Sequence, residues 1–215
     1  DSGEHDAGSD AESDSDVPDV EGIRQRELRA GPFVFRARVA GPETGDLVLL
    51  LHGFPETSLA WRAQMPVLAE AGYFAVAPDQ RGYSPGAQPP NVEDYRLELL
   101  VADVLDMAEA LGRERFHLVG HDWGAVVAWA VAATAPDRLL SLTAFSVPHP
   151  APYSEAQGDP STCQYEASAY VEFLTSEGSE QGLLANDATM LRSMFPGLPD
   201  DVVDDRVMSA VKDHF

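Results

Sequence analysis

Lysine, cysteine and long apolar runs are almost missing from this chain of 215 residues. A single cysteine, Cys163, excludes a framework of internal disulfide bonds. No apolar stretch approaches the roughly 20 residues that span a bilayer, and no basic patch followed by an apolar stretch opens the chain. These absences argue against membrane insertion and secretion, and we expect a cytoplasmic protein without a membrane partner.

Positive charge is scarce throughout the sequence. Asp and Glu number 36 against 14 Lys and Arg, which gives a formal net charge of −22, and Lys212 is the only lysine. Such a balance repels nucleic acid and anionic membranes, so neither is an expected partner. Residues 1–20 hold eight acids and no Lys or Arg, but the rest of the chain is also acidic. This composition fits both a protein of a salt-loving organism and an ordinary acidic protein.

Apolar patterning predicts a tail over residues 1–22, a core over 23–147 and a cap over 148–215. The tail is rich in Asp, Ser, Gly and Glu, which predicts disorder. Strand patterns alternate with helical patterns in the core and predict an α/β fold with a mostly parallel sheet covered by helices on both faces. Predicted strands are 23–30 and 33–39, an antiparallel pair at the sheet edge, then 47–51, 73–77, 116–119 and 139–145; predicted helices are 58–71, 94–111 and 125–135. The cap has short helical patterns at 167–174, 182–184, 188–194 and 200–211, and no strand pattern.

The motif Gly120-His121-Asp122-Trp123-Gly124 lies between an apolar run and a helical pattern. Where a strand turns sharply into a helix, the residues two before and two after a nucleophile must be small, and Gly120 and Gly124 meet that demand. Serine hydrolases have Ser at the centre, where this chain has Asp122. A carboxylate is ionised at pH 7 and can attack carbon directly, forming an ester. Taken alone, the motif is equally compatible with Asp122 as a turn or N-cap residue.

Three motifs in order carry a family resemblance: His52-Gly53-Phe54-Pro55-Glu56-Thr57, Asp79-Gln80-Arg81-Gly82-Tyr83 and Gly120-His121-Asp122-Trp123-Gly124-Ala125. Together with the order of predicted elements, they resemble the α/β-hydrolase fold, and more narrowly its epoxide hydrolase branch, close to the haloalkane and fluoroacetate dehalogenases. The resemblance implies a hydrolase of small molecules that needs no cofactor and no metal, with Asp122 as the nucleophile.

The resemblance also implies roles for further residues. The backbone N–H groups of Phe54 and Trp123 would form an oxyanion hole, supported by a loop that includes His52, Gly53 and Pro55 and by the elbow glycines Gly120 and Gly124. Tyr170 stands where the family has a cap tyrosine that hydrogen-bonds the epoxide oxygen; Tyr153 and Tyr165 are weaker candidates, and Tyr170 is also compatible with a packing role. In the family His52 supports its loop and His121 lies inside the elbow, so neither is assigned as the base.

A complete member of the family also carries a His after the last strand and an acid after the seventh or, in some dehalogenases, the sixth. Residues 146–150 contain no carboxylate, and His214 follows the cap patterns without intervening strands, so we interpret its position as coincidence. We therefore expect a chain that stops within the cap, lacks the residues that hydrolyse the ester, and leaves its sixth strand as an apolar edge.

Two other functions stay open from the sequence. A haloalkane or haloacid dehalogenase would use the same Asp attack, but haloalkane dehalogenases typically have Asn where this chain has Phe54, and fluoroacetate dehalogenases have Arg where it has Trp123. A non-catalytic remnant could bind a ligand or partner through the cap. The sequence indicates neither the substrate nor the oligomeric state.

Overall fold

Six strands form one mixed sheet in a computed structural model that describes residues 22–194. Their order across the sheet is β1-β2-β4-β3-β5-β6. Strands β1 and β2 pair antiparallel, β2 pairs antiparallel with β4, and all other neighbours are parallel, which confirms the predicted α/β class. The strands are β1 Ile23–Ala30, β2 Phe33–Ala40, β3 Leu47–Leu51, β4 Phe74–Pro78, β5 Phe116–His121 and β6 Leu139–Phe145.

The first hairpin corrects one prediction about the sheet edge. Strand β2 was expected beside β1 as a second edge strand, but it lies between β1 and β4. Its inner half is buried, because β4 and the helices cover residues 37–40. At the other side, β6 is the outermost strand of the sheet that residues 22–194 form, and its Leu140 and Phe145 are 40% and 49% exposed.

Three α-helices connect the core strands: α1 Gln64–Glu70, α2 Leu97–Ala110 and α3 Trp123–Thr134. The helix predicted over 58–71 is in fact two, since a 3-10 turn at Ser58–Trp61 precedes α1. Pro66 explains the late start of α1, because a residue without a backbone N–H fits the first turn of a helix. Shorter 3-10 turns cover Val92–Tyr95 and Pro136–Arg138.

Both faces of the central strands are buried. Every residue of β3 and β4 is buried, and successive side chains of β3 alternate between two apolar clusters. Leu49 packs with the cluster that includes Val104 and Val127, whereas Leu50 packs with Met65 on the opposite face. Continuous apolar runs are typical of parallel strands covered on both faces.

A buried ion pair fixes the carboxyl end of β4. Asp79 accepts from Arg36 Nε at 2.6 Å and from the Ser58 backbone N–H at 2.7 Å. Burial alone would raise the pKa of Asp79, but Arg36 and the hydrogen bonds from Ser58 outweigh it and lower this pKa. The contacts tie strands β2 and β4 to the segment that begins after the His52 loop.

Four helices follow β6: α4 Pro150–Gly158, α5 Cys163–Ala167, α6 Tyr170–Leu174 and α7 Ser179–Ser193. The sequence patterns missed α4, because its two prolines read as helix breakers. Pro150 instead stands at the first helical position, and His149 caps the helix by accepting from the Ala151 N–H at 3.3 Å. The patterns at 182–184 and 188–194 belong to the single helix α7. The predictions for 200–211 and for the tail up to residue 21 lie outside the described residues. Within residues 22–194 no helix is long and apolar enough to cross a membrane.

Candidate active site

Asp122 occupies a sharp turn between β5 and α3. Its φ of 50° and ψ of −119° lie in a left-handed region that non-glycine residues rarely adopt, and such strain concentrates at functional sites. The turn is held from both sides: the Asp122 N–H donates to the Phe145 carbonyl at 3.2 Å, and the Asp122 carbonyl accepts from the Ala125 N–H at 2.9 Å. The side chain therefore stands at the carboxyl end of the sheet, at the amino end of a 12-residue helix.

Steric limits explain the two glycines of the motif. A Cβ on Gly120 would lie 2.4 Å from the carbonyl oxygen of Gly124, and a Cβ on Gly124 would lie 2.3 Å from that of Leu51. These distances are far inside van der Waals contact, and the atoms concerned belong to the backbone. Glycine at 120 therefore permits the close approach of α3 to β5, and glycine at 124 permits its close approach to β3.

The loop after β3 reaches the Asp122 side chain. The Phe54 backbone N–H donates to Asp122 Oδ1 at 3.1 Å, and a Cβ on Gly53 would lie 2.6 Å from Asp122 Cβ. The Phe54–Pro55 peptide bond is cis. Trp123, the other predicted oxyanion-hole residue, is the first residue of α3, and its side chain is 48% exposed.

The side chain of Phe54 also connects this loop to the cap. It packs against an apolar cluster centred on Leu183 and Leu191 of α7. One residue thus presents its backbone to Asp122 and its ring to the cap helix.

His52 is fully buried beneath the loop. Its Nδ1 donates to the Gly53 carbonyl at 2.9 Å, and its Nε2 accepts from the Gln80 N–H at 3.0 Å. The Gln80 side chain returns a bond to the His52 carbonyl at 2.6 Å. These contacts are those of a loop support, and they use both ring nitrogens.

A pair that sequence reasoning missed lies beside Asp122. His121 Nδ1 is 2.9 Å from Glu56 Oε2, which also accepts from the Gly53 N–H at 3.2 Å. The hydrogen bond to Glu56 raises the pKa of His121 despite partial burial. Burial alone would raise the pKa of Glu56. His121 and the Gly53 N–H stabilise the carboxylate more strongly, so this pKa is lowered. Glu56 lies in the loop after β3, and His121 ends β5, which pairs with β3.

Tyr170 lies on α6 in the cap and is 54% exposed. Its pKa is raised by partial burial and then by the negative charge of Asp122 and by Tyr153. The predicted cap tyrosine and the predicted nucleophile are thus within electrostatic range of each other. Tyr153 on α4 accepts from Gln157 Nε2 at 3.2 Å.

Each histidine of the described segment has an identified partner. His52 and His121 are accounted for above; His117 Nδ1 lies 2.7 Å from Ser141 Oγ, and His149 caps α4 and packs edge-on against Trp129. His214 lies outside the described residues. Among residues 22–194 no group of three or more His, Cys, Asp or Glu could hold a metal ion.

A pocket of about 360 Å³ opens beside the Glu56–His121 pair. Its lining residues are Glu56, Ala60, Trp61, Gln64, His121, Phe145 and Ser146, and Asp122 is not one of them.

Comparison with known proteins identifies the family. A family model described as alpha/beta hydrolase fold matches residues 46–164, which is more than half of the chain. The chain belongs to the α/β-hydrolase fold family. It is 43% identical to epoxide hydrolase A of Mycobacterium tuberculosis over 131 residues, which make up 60% of this chain and 37% of that protein. It is 37% identical to the AB hydrolase superfamily protein YfhM of Bacillus subtilis over 131 residues, 61% of this chain and 46% of that protein.

Solved structures give the same family. An epoxide hydrolase of Bacillus megaterium in complex with an inhibitor aligns with a TM-score of 0.79 at 28% identity, over 88% of this chain and 66% of that one. Epoxide hydrolase VrEH1 of Vigna radiata aligns with a TM-score of 0.72 at 28% identity, over 91% of this chain and 67% of that one. The chain is similar to the epoxide hydrolase branch of the family, but it spans less than half the length of the relatives matched by sequence.

Proposed function

We propose that this chain opens epoxides by attack of Asp122, forming an ester on that side chain. The observation that supports this most strongly is the strained elbow position of Asp122 with its Oδ1 bound by the Phe54 N–H at 3.1 Å. An elbow at this point exposes a nucleophile, and a fixed donor is suited to stabilise charge that develops on the oxygen of the ester carbonyl. The epoxide hydrolases among the relatives favour an epoxide as the substrate class.

In the proposed step, a carboxylate oxygen of Asp122 attacks an epoxide carbon. A carbon–oxygen bond forms to Asp122, the ring bond breaks, and its electron pair stays on the ring oxygen as an alkoxide. The Tyr170 hydroxyl donates a hydrogen bond to that oxygen and supplies its proton. Electrostatic coupling between Tyr170 and Asp122 supports this division of roles.

Hydrolysis of the ester needs a base that activates a water molecule for attack on the ester carbonyl. His52, His117, His121 and His149 have the other partners described above. We therefore assign none of these four as that base. The proposal for the described residues is ester formation, and the fate of the ester is a separate question.

Intact-mass spectrometry in ¹⁸O water tests the proposal, with 1,2-epoxyhexane as the probe. We expect either addition of the whole epoxide mass at Asp122 or, where the ester is hydrolysed, ¹⁸O in the Asp122 carboxylate and release of the diol. Asp122→Asn should abolish both signals, while Asp137→Asn, a change outside the site in the turn before β6, should leave them unchanged. Neither signal in the unsubstituted protein, or the same signal in Asp122→Asn, would contradict the proposal. Incubation with 1-chlorohexane is a control, and release of chloride would favour a dehalogenase.

A further inference from the structure

Tyr83 lies next to the loop that holds Asp122. It ends the Asp79-Gln80-Arg81-Gly82-Tyr83 motif, and its ring packs edge-on against His52 with centroids 4.7 Å apart at 84°. Gln80 of the same motif makes two hydrogen bonds to His52, at 3.0 Å and 2.6 Å. The segment after β4 therefore contacts both the ring and the backbone carbonyl of His52.

The backbone of residues 52–54 connects these contacts at His52 to the Asp122 side chain. His52 precedes Gly53, whose α-carbon faces the Asp122 side chain, and Phe54, whose N–H binds Asp122 Oδ1. The His52 carbonyl also lies against Gly124 of the elbow, since a Cβ on Gly124 would be 2.6 Å from that oxygen. A displacement of His52 would thus move both contacts of the nucleophile.

The electrostatic environment of the Tyr83 phenol agrees with this position. Burial raises the pKa of Tyr83 strongly, and the negative charges of Asp122 and Glu56 raise it further. The phenol therefore stays neutral at pH 7.

We propose that Tyr83 is a positioning residue for Asp122, because its ring fixes the His52 loop whose backbone contacts Asp122. The consequence for catalysis rests on the proposed function. Because Tyr83 acts through Asp122 and not on the epoxide, loss of its ring should slow ester formation without changing epoxide affinity.

The first test needs no substrate. Tyr83→Leu removes the ring from His52. Melting temperatures of Tyr83→Leu, of Asp122→Asn and of the double variant complete a double-mutant cycle, and we expect the two single changes to miss additivity by about 2 °C or more. Tyr73→Leu is the matched control, since Tyr73 also packs edge-on against a histidine, His117, at 5.6 Å, but directly before β4. Its effect should add to that of Asp122→Asn within about 1 °C.

The second test measures ester formation with 1,2-epoxyhexane. Tyr83→Leu should lower the rate at saturating epoxide about tenfold and leave the half-saturating concentration within about twofold. Tyr83→Phe, which keeps the ring, and Tyr73→Leu should leave both values within about twofold. Additive melting temperatures for Tyr83→Leu and Asp122→Asn overturn the assignment of Tyr83, whatever the activity. Non-additive temperatures in a protein that forms no ester support the placement of Tyr83 and contradict the proposed function.

Discussion

Gly124→Ala should destabilise the protein because its new methyl group meets only backbone. The added Cβ would lie 2.3 Å from the Leu51 carbonyl oxygen and 2.6 Å from that of His52. Leu51 ends β3, a fully buried strand with neighbours on both sides, so it cannot move away alone. Relief to 3.0 Å requires a shift of about 0.7 Å between α3 and β3. Overpacking of this kind costs about 1–3 kcal/mol.

For a domain of this size, that cost corresponds to a loss of about 2–12 °C in melting temperature. Thermal unfolding followed by circular dichroism measures it. Gly158→Ala is the matched control, since Gly158 ends α4 and no atom lies within 4 Å of the point where its methyl group would stand. The control should be unchanged or slightly more stable, because alanine favours helix. A melting temperature of Gly124→Ala within about 1 °C of the parent would refute the close packing of α3 on β3.

Two further predictions concern charged pairs. Arg81→Met should cost about 3 kcal/mol in denaturant unfolding, because it removes one partner of the buried Arg81–Asp103 pair, whereas Arg26→Ala at an exposed pair should cost less than about 1 kcal/mol. The lowered pKa of Glu56 stabilises the fold fully above pH 4.5, and this stabilisation is lost as the pH falls through the lowered pKa. The raised pKa of His121 stabilises the fold fully below pH 6.5, and this stabilisation is lost as the pH rises through the raised pKa. The melting-temperature difference between parent and Glu56→Gln should therefore be largest between pH 4.5 and 6.5, and a difference independent of pH would contradict the ion pair.

Sequence patterns predicted the parallel core well because its strands are short apolar runs buried on both faces. Strands β1, β3 and β6 have the predicted bounds, and the others differ by one or two residues. The position of β2 could not be predicted in the same way, since strand order across a sheet depends on pairing between distant segments. The cap was predicted less well. Short half-exposed helices lack a clear apolar period, and prolines at 150 and 152 hid α4.

The candidate site shows a similar division. The elbow and the loop could be predicted from the sequence, because their backbone geometry requires glycine at fixed spacings and a short motif shows that spacing. The Glu56–His121 pair was missed, since each residue taken alone is an ordinary polar side chain 65 positions from the other. Tyr83 was missed for the same reason, because its importance lies in contact with His52 across two loops.

Aspartate at the elbow changes what its surroundings must supply. A serine needs a base before it can attack, whereas a carboxylate is already ionised at pH 7. The surroundings of Asp122 provide a backbone donor from Phe54, while the four described histidines have other partners. On the proposed mechanism, formation of the ester and its hydrolysis are therefore separable steps. The rate of ester formation then depends on the geometry of the elbow, and the lifetime of the ester depends on whether a base activates water beside the ester carbonyl.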